Sequence, residues 1–545
     1  MRYGFTQSNG KMVRQRADAK IAVSSDCEIR YSICVPVPRL MQTHSISKTV
    51  FALLCTGCSL LAEVRFASPF TSHLVLQREL PLPVWGTADP AEEVTIEFAG
   101  QKKTALADAG GRWQATLDSL PASAEGRALI AHGSRTAQAL RLDEMLVGEV
   151  WLCSGQSNMD FTMAKTQKYY FAGVTNEAEE LAAADHPLIR MFTGEWARSY
   201  EPKREVPGAW KICTPENARE FSAIGYYFAR DLHTELGVPV GIVTLTYGAS
   251  TAQAWIRREA IAADPRLKPA LDAFDEQMKS YTPPTEDELT AWREAADKAK
   301  AAGKRAPARP RPDPTQDQHN PTVMFNGMIA PFVPFAVRGV LWYQGESITG
   351  PRELFPVWNE TLIKDWRGLW GREMPFYFCQ LAAHDGKGDI AEVREMQAEA
   401  LKLPQTGMAV TIDVGDRKDV HPHNKKDAGN RLTRIALANV YGRRIEFSGP
   451  QFVSSAVEGD ALRLKFSQLG GGLVAKEGAL KTFEVAAADG KFAPAEATID
   501  GETVVVRSSG ITAPVAARYA WSNYPDGCNL YNAAGLPAPP FRTGK

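Results

Sequence analysis

The chain has 545 residues, of which 44% are hydrophobic and 23% are charged, and its formal net charge at pH 7 is −1. This length exceeds one ordinary hydrophobic core, so the sequence predicts two or three domains of a globular protein. The balanced charge, without a basic block, argues against a nucleic-acid-binding surface.

Residues 1–67 are predicted to be an upstream extension and a secretory leader. Lys48 precedes an apolar run over residues 49–61, which is too short to span a bilayer comfortably. This arrangement is typical of an export signal, with Met41 as the natural start. We therefore expect a secreted or periplasmic protein without a membrane span. Lipid attachment at Cys58 and a buried core segment are the alternative interpretations.

Residues 68–145 are predicted to form an N-terminal β domain. Apolar and polar residues alternate over residues 94–98 and 113–117, and turn residues such as Gly86 and Gly110 separate the runs. Short alternating runs between turns are typical of a small β-sandwich.

The stretch GEVWLCSGQSNM, residues 148–159, is the first chemical candidate. A mostly apolar strand over residues 146–152 leads into a break at Gly155 and then presents Gln156 and Ser157. Side chains just past the C-terminal end of a strand carry the chemistry of open α/β sheets. Gly155 permits a tight turn, and the free amides of a helix beginning there suit a developing oxyanion. Ser157 is therefore a candidate nucleophile; an ordinary N-capping serine is the alternative.

Residues 146–445 alternate strand-like and helix-like runs, which predicts a mostly parallel sheet covered on both faces. Strands are expected at residues 146–152, 188–192, 240–245, 337–342, 376–381 and 408–412, and helices at 218–236, 354–370 and 425–441. Residues 256–320 interrupt this pattern with a charged helical piece and a proline-rich run, typical of a surface insertion or lid. Alternation returns after residue 446, so residues 446–545 are predicted to form a C-terminal β domain.

His421 is a candidate base for Ser157. It lies in the short motif DVHP, residues 419–422, which follows a predicted strand and precedes a predicted helix. Both residues therefore fall on loops at the same edge of the predicted sheet, where a histidine can take the serine proton. A zinc site involving His421, His423, Asp419 and Asp427 is the alternative reading of this segment.

Three motifs make the chain resemble the sialate O-acetylesterases of the SGNH-hydrolase superfamily. They are GEVWLCSGQSNM at 148–159, WYQGES at 342–347 and DVHP at 419–422, supported by LVLQ at 74–77, NLYN at 529–532 and PFR at 540–542. The resemblance spans roughly residues 65–545. It implies an α/β fold: an SGNH-type three-layer α/β/α domain with a parallel sheet, flanked by β-sandwich-like units.

The resemblance also implies roles for further residues. Gly248 best matches the oxyanion-hole glycine, and Gln344 stands where many superfamily members place an asparagine donor. Glu346 departs from the usual pattern and is expected to support the site or bind substrate; Gln156 and Arg394 are further supporting or substrate-binding candidates. The acid that orients His421 stays open between Asp419, the preferred choice, Glu346 and Asp416.

The sequence thus predicts a serine esterase that removes acetyl groups from sugars through an acetyl-serine intermediate, without a metal or organic cofactor. O-acetylated sialic acids are the leading substrate implied by the resemblance. An acetylxylan or other polysaccharide acetylesterase, and a non-catalytic glycan-binding protein, are the alternatives.

Overall fold

The computed structural model describes residues 63–136 and 138–544. Residues 1–62, which include the predicted apolar run and Cys58, therefore lie outside the described residues. The last part of the predicted leader segment, residues 63–67, is described: Arg65–Phe66 forms a strand that pairs with Gly86 and Thr87, so this strand lies before the predicted boundary at residue 67. Across the described ranges, no helix combines the length and apolarity needed to cross a membrane.

Strands occur along the whole of the described chain. The strands are β1 Arg65–Phe66, β2 Val75–Gln77, β3 Leu82–Thr87, β4 Glu93–Phe98, β5 Gln101–Leu106, β6 Arg112–Leu117, β7 Ser123–Gly133, β8 Leu140–Gly155, β9 His186–Thr193, β10 Trp210–Cys213, β11 Val240–Thr246, β12 Gly339–Tyr343, β13 Phe376–Cys379, β14 Thr406–Ala409, β15 Gln451–Glu458, β16 Ala461–Ser467, β17 Leu473–Ala475, β18 Phe483–Ala486, β19 Phe492–Pro494, β20 Glu496–Asp500, β21 Thr503–Arg507, β22 Ala516–Tyr519, β23 Leu530–Asn532 and β24 Phe541–Arg542.

The helices fall mainly between the central strands. They are α1 Ser157–Asp160, α2 Glu177–Ala182, α3 Pro215–Ala218, α4 Ala223–Leu236, α5 Arg258–Ala263, α6 Lys268–Ser280, α7 Glu286–Ala301, α8 Phe355–Trp370, α9 Ile390–Ala398 and α10 Lys425–Asn439. Short 3-10 turns and one π turn, Phe325–Ile329, connect them.

A large mixed sheet lies at the centre of this mixed α/β fold. Its main path runs β10-β9-β11-β8-β12-β13-β14. Strands β9, β11, β8, β12, β13 and β14 are parallel to their neighbours, and β10 is an antiparallel edge strand. The predicted parallel sheet is confirmed, and the carboxyl ends of its strands meet at one edge.

Helices and loops cover both faces of this sheet. Alternate residues of β8 point to opposite faces, so Leu152 packs in one hydrophobic cluster with Trp366 of α8. Trp151 packs in the other cluster with Phe228 of α4 and Leu432 of α10. Burial on both faces explains why the strand sequences are nearly continuous apolar runs.

Strand β8 is 16 residues long and crosses the predicted domain boundary at residue 145. Its first half pairs with β2 and β7, and its second half pairs with β11 and β12. Strands β1, β3 and β6 form a separate three-stranded sheet, while β2, β4, β5 and β7 belong to the large sheet through β8. The N-terminal strands and the parallel strands therefore share one element.

Several predicted elements have other bounds in the structure, and two of them show a change of local structure. The helix expected over residues 218–236 begins only at Ala223, because the Ser222 hydroxyl accepts from the amide of Gly225 at 3.3 Å and caps α4 there. The strand expected over residues 408–412 ends at Ala409, and Ile412–Val414 forms a 3-10 turn.

The predicted insertion, residues 256–320, contains α5, α6 and α7. Helix α7 buries no residue, whereas α6 buries Leu271 and Phe274. Three small antiparallel sheets follow α10: β15-β16-β21-β20, β17-β23 and β19-β18-β22-β24. The β structure expected after residue 446 is confirmed, while the domain limits themselves stay a prediction.

Candidate active site

The turn after β8 exposes Ser157. Residues 145–156 and 158–164 are all buried, and Ser157 alone in this run is partly exposed. Gly155 adopts φ +128°, and a Cβ placed there would lie 2.2 Å from the carbonyl oxygen of Tyr343. Only glycine fits this turn without strain. Ser157 is then the first residue of α1, where backbone amides have no acceptor within the helix.

His421 faces Ser157 across the edge of the sheet. Its Nε2 lies 2.8 Å from the Ser157 Oγ, although the two residues are 264 positions apart in the chain. The imidazole is 18% exposed, and the ring of Phe171 lies against it with centroids 4.5 Å apart. The structure therefore brings the predicted nucleophile and base into hydrogen-bonding distance.

Asp419 lies on the other side of the imidazole. Its Oδ1 is 3.5 Å from His421 Nδ1 and accepts a bond of 2.8 Å from the backbone amide of His421. Asp416 instead accepts from the amides of Lys418 and Asp419, which lowers its pKa and shapes the loop. Of the three candidate acids, Asp419 is the one whose carboxylate approaches Nδ1.

The surroundings of His421 favour its neutral form. Burial and, to a smaller extent, the positive charge of Lys425 lower the pKa of His421 to about 4, and Asp419 opposes both effects. A histidine that is neutral near pH 7 can accept a proton from a hydroxyl.

A buried network that the sequence did not predict lies behind the Ser157–His421 pair. The amide nitrogen of Asn158 donates to Glu346 Oε1 at 2.5 Å and to the carbonyl oxygen of Val420 at 3.0 Å. The amide oxygen of Asn158 accepts from Lys425 Nζ at 2.5 Å. Asn158 thus links the nucleophile turn, the histidine loop and a buried acid and base.

Both ionisable members of this network have shifted pKa values. Burial lowers the pKa of Lys425 to about 7, against the attraction of Glu346. Burial raises the pKa of Glu346, and its Oε2 is buried without a hydrogen-bond partner. Glu346 therefore supports Asn158 and does not contact His421 directly. The sequence contained one indication of this network. A lysine at the first position of a helix interacts unfavourably with the helix dipole, so Lys425 indicated a stabilising contact outside its own helix.

Gly248 lies beside the nucleophile, whereas Gln344 turns away from it. A Cβ placed on Gly248 would lie 3.9 Å from Cβ of Ser157. The Gln344 side-chain nitrogen donates to the carbonyl oxygens of Ser250 at 3.3 Å and Ser347 at 2.7 Å. This geometry gives Gln344 a structural contact in place of the predicted oxyanion bond.

Gln156 and Arg394 also hold the backbone near the site. The side-chain oxygen of Gln156 accepts from the amides of Gly345 and Ser347, at 3.3 and 3.2 Å. Arg394 is fully buried and donates to the carbonyl oxygens of Leu381, Ala382, Ser522 and Asn523. A substrate contact for Arg394 does not fit this arrangement, because carbonyl oxygens occupy its guanidinium.

A further buried carboxyl lies three residues after the nucleophile. Asp160 Oδ1 accepts from the hydroxyl of Thr246 at 2.6 Å, while Oδ2 is buried without a hydrogen-bond partner. Burial raises the pKa of Asp160 to about 6, and Lys168 attracts its charge.

The histidine loop holds no metal-ligand cluster. His423 Nδ1 faces the carbonyl oxygen of Gly173, and His423 Nε2 is 3.9 Å from Asp419. Within residues 63–136 and 138–544, no group of three His, Cys, Asp or Glu side chains is arranged to hold a metal ion.

Comparison with known proteins gives consistent results. Residues 321–441 match the family model for carbohydrate esterase, sialic acid-specific acetylesterase. The sialate O-acetylesterase of Mus musculus is 28% identical over 533 residues, which cover 88% of this chain and 94% of the mouse protein. For the Homo sapiens sialate O-acetylesterase the identity is 26% over 529 residues, with coverage of 88% and 92%. The crystal structure of a carbohydrate acetylesterase from Xanthomonas citri is 34% identical with a TM-score of 0.74, covering 88% of this chain and 100% of that one.

Proposed function

Because the chain belongs to the sialate O-acetylesterase family of carbohydrate esterases and is a carboxylic ester hydrolase, we propose that it hydrolyses O-acetyl esters on sugars through a Ser157–His421 pair. O-acetylated sialic acid is the proposed substrate, in keeping with the names of the curated relatives. The observation that carries the mechanism is the distance of 2.8 Å between Ser157 Oγ and His421 Nε2 at the edge of the sheet.

In the first step, Ser157 Oγ attacks the acetyl carbonyl carbon while His421 Nε2 takes the hydroxyl proton. The C–O bond to the sugar then breaks, and His421 returns the proton to the departing sugar oxygen. Water then gives a proton to His421 Nε2 and attacks the carbonyl carbon of the acetyl-serine. The bond from this carbon to Ser157 Oγ breaks, His421 returns the proton to Oγ, and acetate leaves. The Asp419 carboxylate, 3.5 Å from Nδ1, stabilises the imidazolium formed in each half-reaction.

The developing oxyanion needs donors that are already in position. We assign this role to the backbone amides of Ser157 and Gly248. Ser157 begins α1, and Gly248 lies beside Ser157 without a side chain to block approach. Gln344 is left out of this assignment because carbonyl oxygens accept both of its side-chain bonds.

Two further features belong to the same proposal. The parallel sheet with helices on both faces, and a serine after β8, favour an SGNH-type three-layer arrangement for the esterase part. The lysine and apolar run over residues 48–61 favour export to an acetylated glycan outside the cytoplasm.

Acetate release from O-acetylated sialic acid tests the proposal. Ser157→Ala is expected to lower kcat by about 10⁴–10⁶ without lowering Tm appreciably, because the nucleophile is lost while the fold remains. A fluorophosphonate probe should label Ser157 in the wild type, and Ser154→Ala serves as the control, since Ser154 is buried and bonds to Leu245. Full turnover by Ser157→Ala would remove the serine mechanism.

A further inference from the structure

Two exposed aromatic side chains contact neighbours of the Ser157–His421 pair. Of the Phe, Tyr and Trp residues in the described ranges, Tyr170 and Trp196 are the most exposed, at 72% and 42% of their surface. Aromatic rings usually lie in cores, so an exposed pair beside a reactive serine indicates a binding surface.

Each ring is connected to the reacting pair through direct neighbours. Tyr170 contacts Phe171 with ring centroids 5.7 Å apart, and Phe171 lies against His421. Trp196 contacts Tyr247 at 5.3 Å, and Tyr247 immediately precedes Gly248, the neighbour of Ser157. Each exposed ring is therefore linked to the reacting pair through an intervening aromatic residue, Phe171 for Tyr170 and Tyr247 for Trp196.

Two cations contact Trp196 and its neighbour Tyr247. Lys168 Nζ lies 4.2 Å from the centre of the Trp196 ring, and the Arg198 guanidinium lies 4.9 Å from the centre of the Tyr247 ring. Among the described residues, neither cation forms an ion pair with a carboxylate within 4.0 Å. Lys168 lines a cleft that also contains Glu195 and Glu220. Glu220 pairs with Lys211 instead, and Glu195 pairs with neither Lys168 nor Arg198 within 4.0 Å among the described residues.

Lys168 lies over the ring of Trp196 and Arg198 over the ring of Tyr247, and these contacts do not use the N–H groups of the two cations as hydrogen-bond donors to oxygen. Only one nitrogen of Arg198 is engaged, through a bond to the carbonyl oxygen of Gln316. The acid that attracts Lys168 is Asp160, which is buried beneath the surface. An incoming carboxylate can therefore meet two positive groups next to a flat apolar ring.

We propose that Trp196, Lys168 and Arg198 form a subsite for a carboxylate-bearing sugar adjoining the ester that Ser157 attacks. The ring stacks on the apolar face of the sugar, and the two cations bind its carboxylate. This inference rests on the proposed function and adds the feature that selects acidic over neutral acetylated glycans. Sialic acids and uronic acids share this chemistry.

The test compares kcat/KM for acetate release from O-acetylated sialic acid, acetylated galacturonan and acetylated xylan. Lys168→Gln/Arg198→Gln is expected to lower kcat/KM on an acidic substrate about tenfold, mainly through KM, since partly exposed charge contacts are of modest strength. The same variant should keep wild-type kcat/KM on acetylxylan and on p-nitrophenyl acetate. Whichever acidic substrate shows the loss identifies the source of the carboxylate.

The matched control is Lys465→Gln/Lys491→Gln, which removes two exposed positive charges in the C-terminal sheets. It should behave as wild type on every substrate, which separates a local contact from the effect of net charge. Trp196→Ala should lower kcat/KM on the acidic glycan about tenfold while p-nitrophenyl acetate turnover is kept.

Equal kcat/KM of wild type and the Lys168/Arg198 variant on all three glycans would overturn the subsite while leaving the esterase proposal intact. A wild type that releases acetate from none of them and does not react with the fluorophosphonate would instead overturn the proposed function.

Discussion

The partner of His421 can be decided by removing one charge at a time. Asp419→Asn keeps the shape of the side chain but removes the charge that lies 3.5 Å from Nδ1. We expect kcat to fall by about 10²–10⁴, as when a triad acid is replaced by its amide. The measurement is kcat for acetate release at saturating substrate.

Glu346→Gln is the matched comparison, because Glu346 contacts Asn158 and not His421. It should reduce kcat less than Asp419→Asn. Asp416→Asn should affect the loop and not the imidazole, since Asp416 accepts from backbone amides. If Glu346→Gln loses activity while Asp419→Asn keeps it, the orienting acid is Glu346.

The pH dependence of the reaction follows from the environment of His421. Burial lowers the pKa of His421 to about 4. The base works only when neutral, so kcat/KM should rise as pH rises through about 4 and then stay level toward pH 7. An acidic limb centred near pH 6.5 would contradict this. A pH profile on p-nitrophenyl acetate measures it.

Lys425 provides an independent check of the acidic limb of the pH profile of kcat/KM. Its positive charge lowers the pKa of His421, so Lys425→Met should move the acidic limb to higher pH. An unchanged limb would show that the charge of Lys425 does not reach the imidazole. Lys426→Met is the control, because Lys426 is exposed and pairs with Glu180.

At the residue scale, the sequence indicated the candidate reacting groups more fully than the groups that hold them. Ser157, Gly248 and His421 follow predicted strands, and strand ends meet at a common edge, so their proximity could be predicted. Arg394 was named as a supporting or substrate-binding candidate, but its contacts and the burial of Lys425 could not be predicted, because a charged side chain is usually solvated and only the folded neighbours show that it is buried.

At the element scale, Gly155 at the end of β8 has no room for a side chain. Gly155→Ala would place a methyl group 2.2 Å from the Tyr343 carbonyl oxygen at φ +128°. We expect it to lower Tm and to abolish activity by displacing the Ser157 turn. Gly368→Ala in α8 is the control: no atom lies within 4 Å, and alanine should stabilise the helix by about 0.5–1 kcal/mol.

Strand and helix types were predictable where the hydrophobic period was clear. The buried strands β9, β11 and β12 and the helices α8 and α10 fall where the apolar patterns placed them. The length of β8 was not predictable in this way, because its first half follows an N-terminal pattern and its second half a parallel-sheet pattern. The local sequence does not specify the strands with which each half pairs. Those partners make the two halves one continuous strand, shared by the N-terminal strands and the parallel strands.

For the whole molecule, the C-terminal sheets are part of the support for the site. Arg394 donates to Ser522 and Asn523, and the Tyr531 hydroxyl donates to Asp413 at 2.9 Å. Removing residues 446–545 would leave the buried Arg394 without two of its acceptors, which costs about 1–3 kcal/mol for each unpaired group. We expect the truncated protein to be insoluble or to melt well below the full chain.

Arg542→Gln is the control for this truncation. It removes one partly exposed ion pair with Glu395, so Tm should fall by no more than about 2–4 °C. A truncated protein that is soluble, melts like the full chain and retains esterase activity would show that the C-terminal sheets are dispensable.

Because Ser157 and His421 are 264 positions apart, the serine is synthesised well before the histidine. At about 5–20 residues per second, a ribosome adds the histidine roughly 13–53 s after the serine. Early in that interval β8, which leads into Ser157, can pair with β2 and β7, but its later neighbours β11 and β12 have still to be made. A nascent or prematurely released chain therefore has no competent base. Ester cleavage becomes a late event, and its onset reports that the chain has been made and folded at least as far as His421.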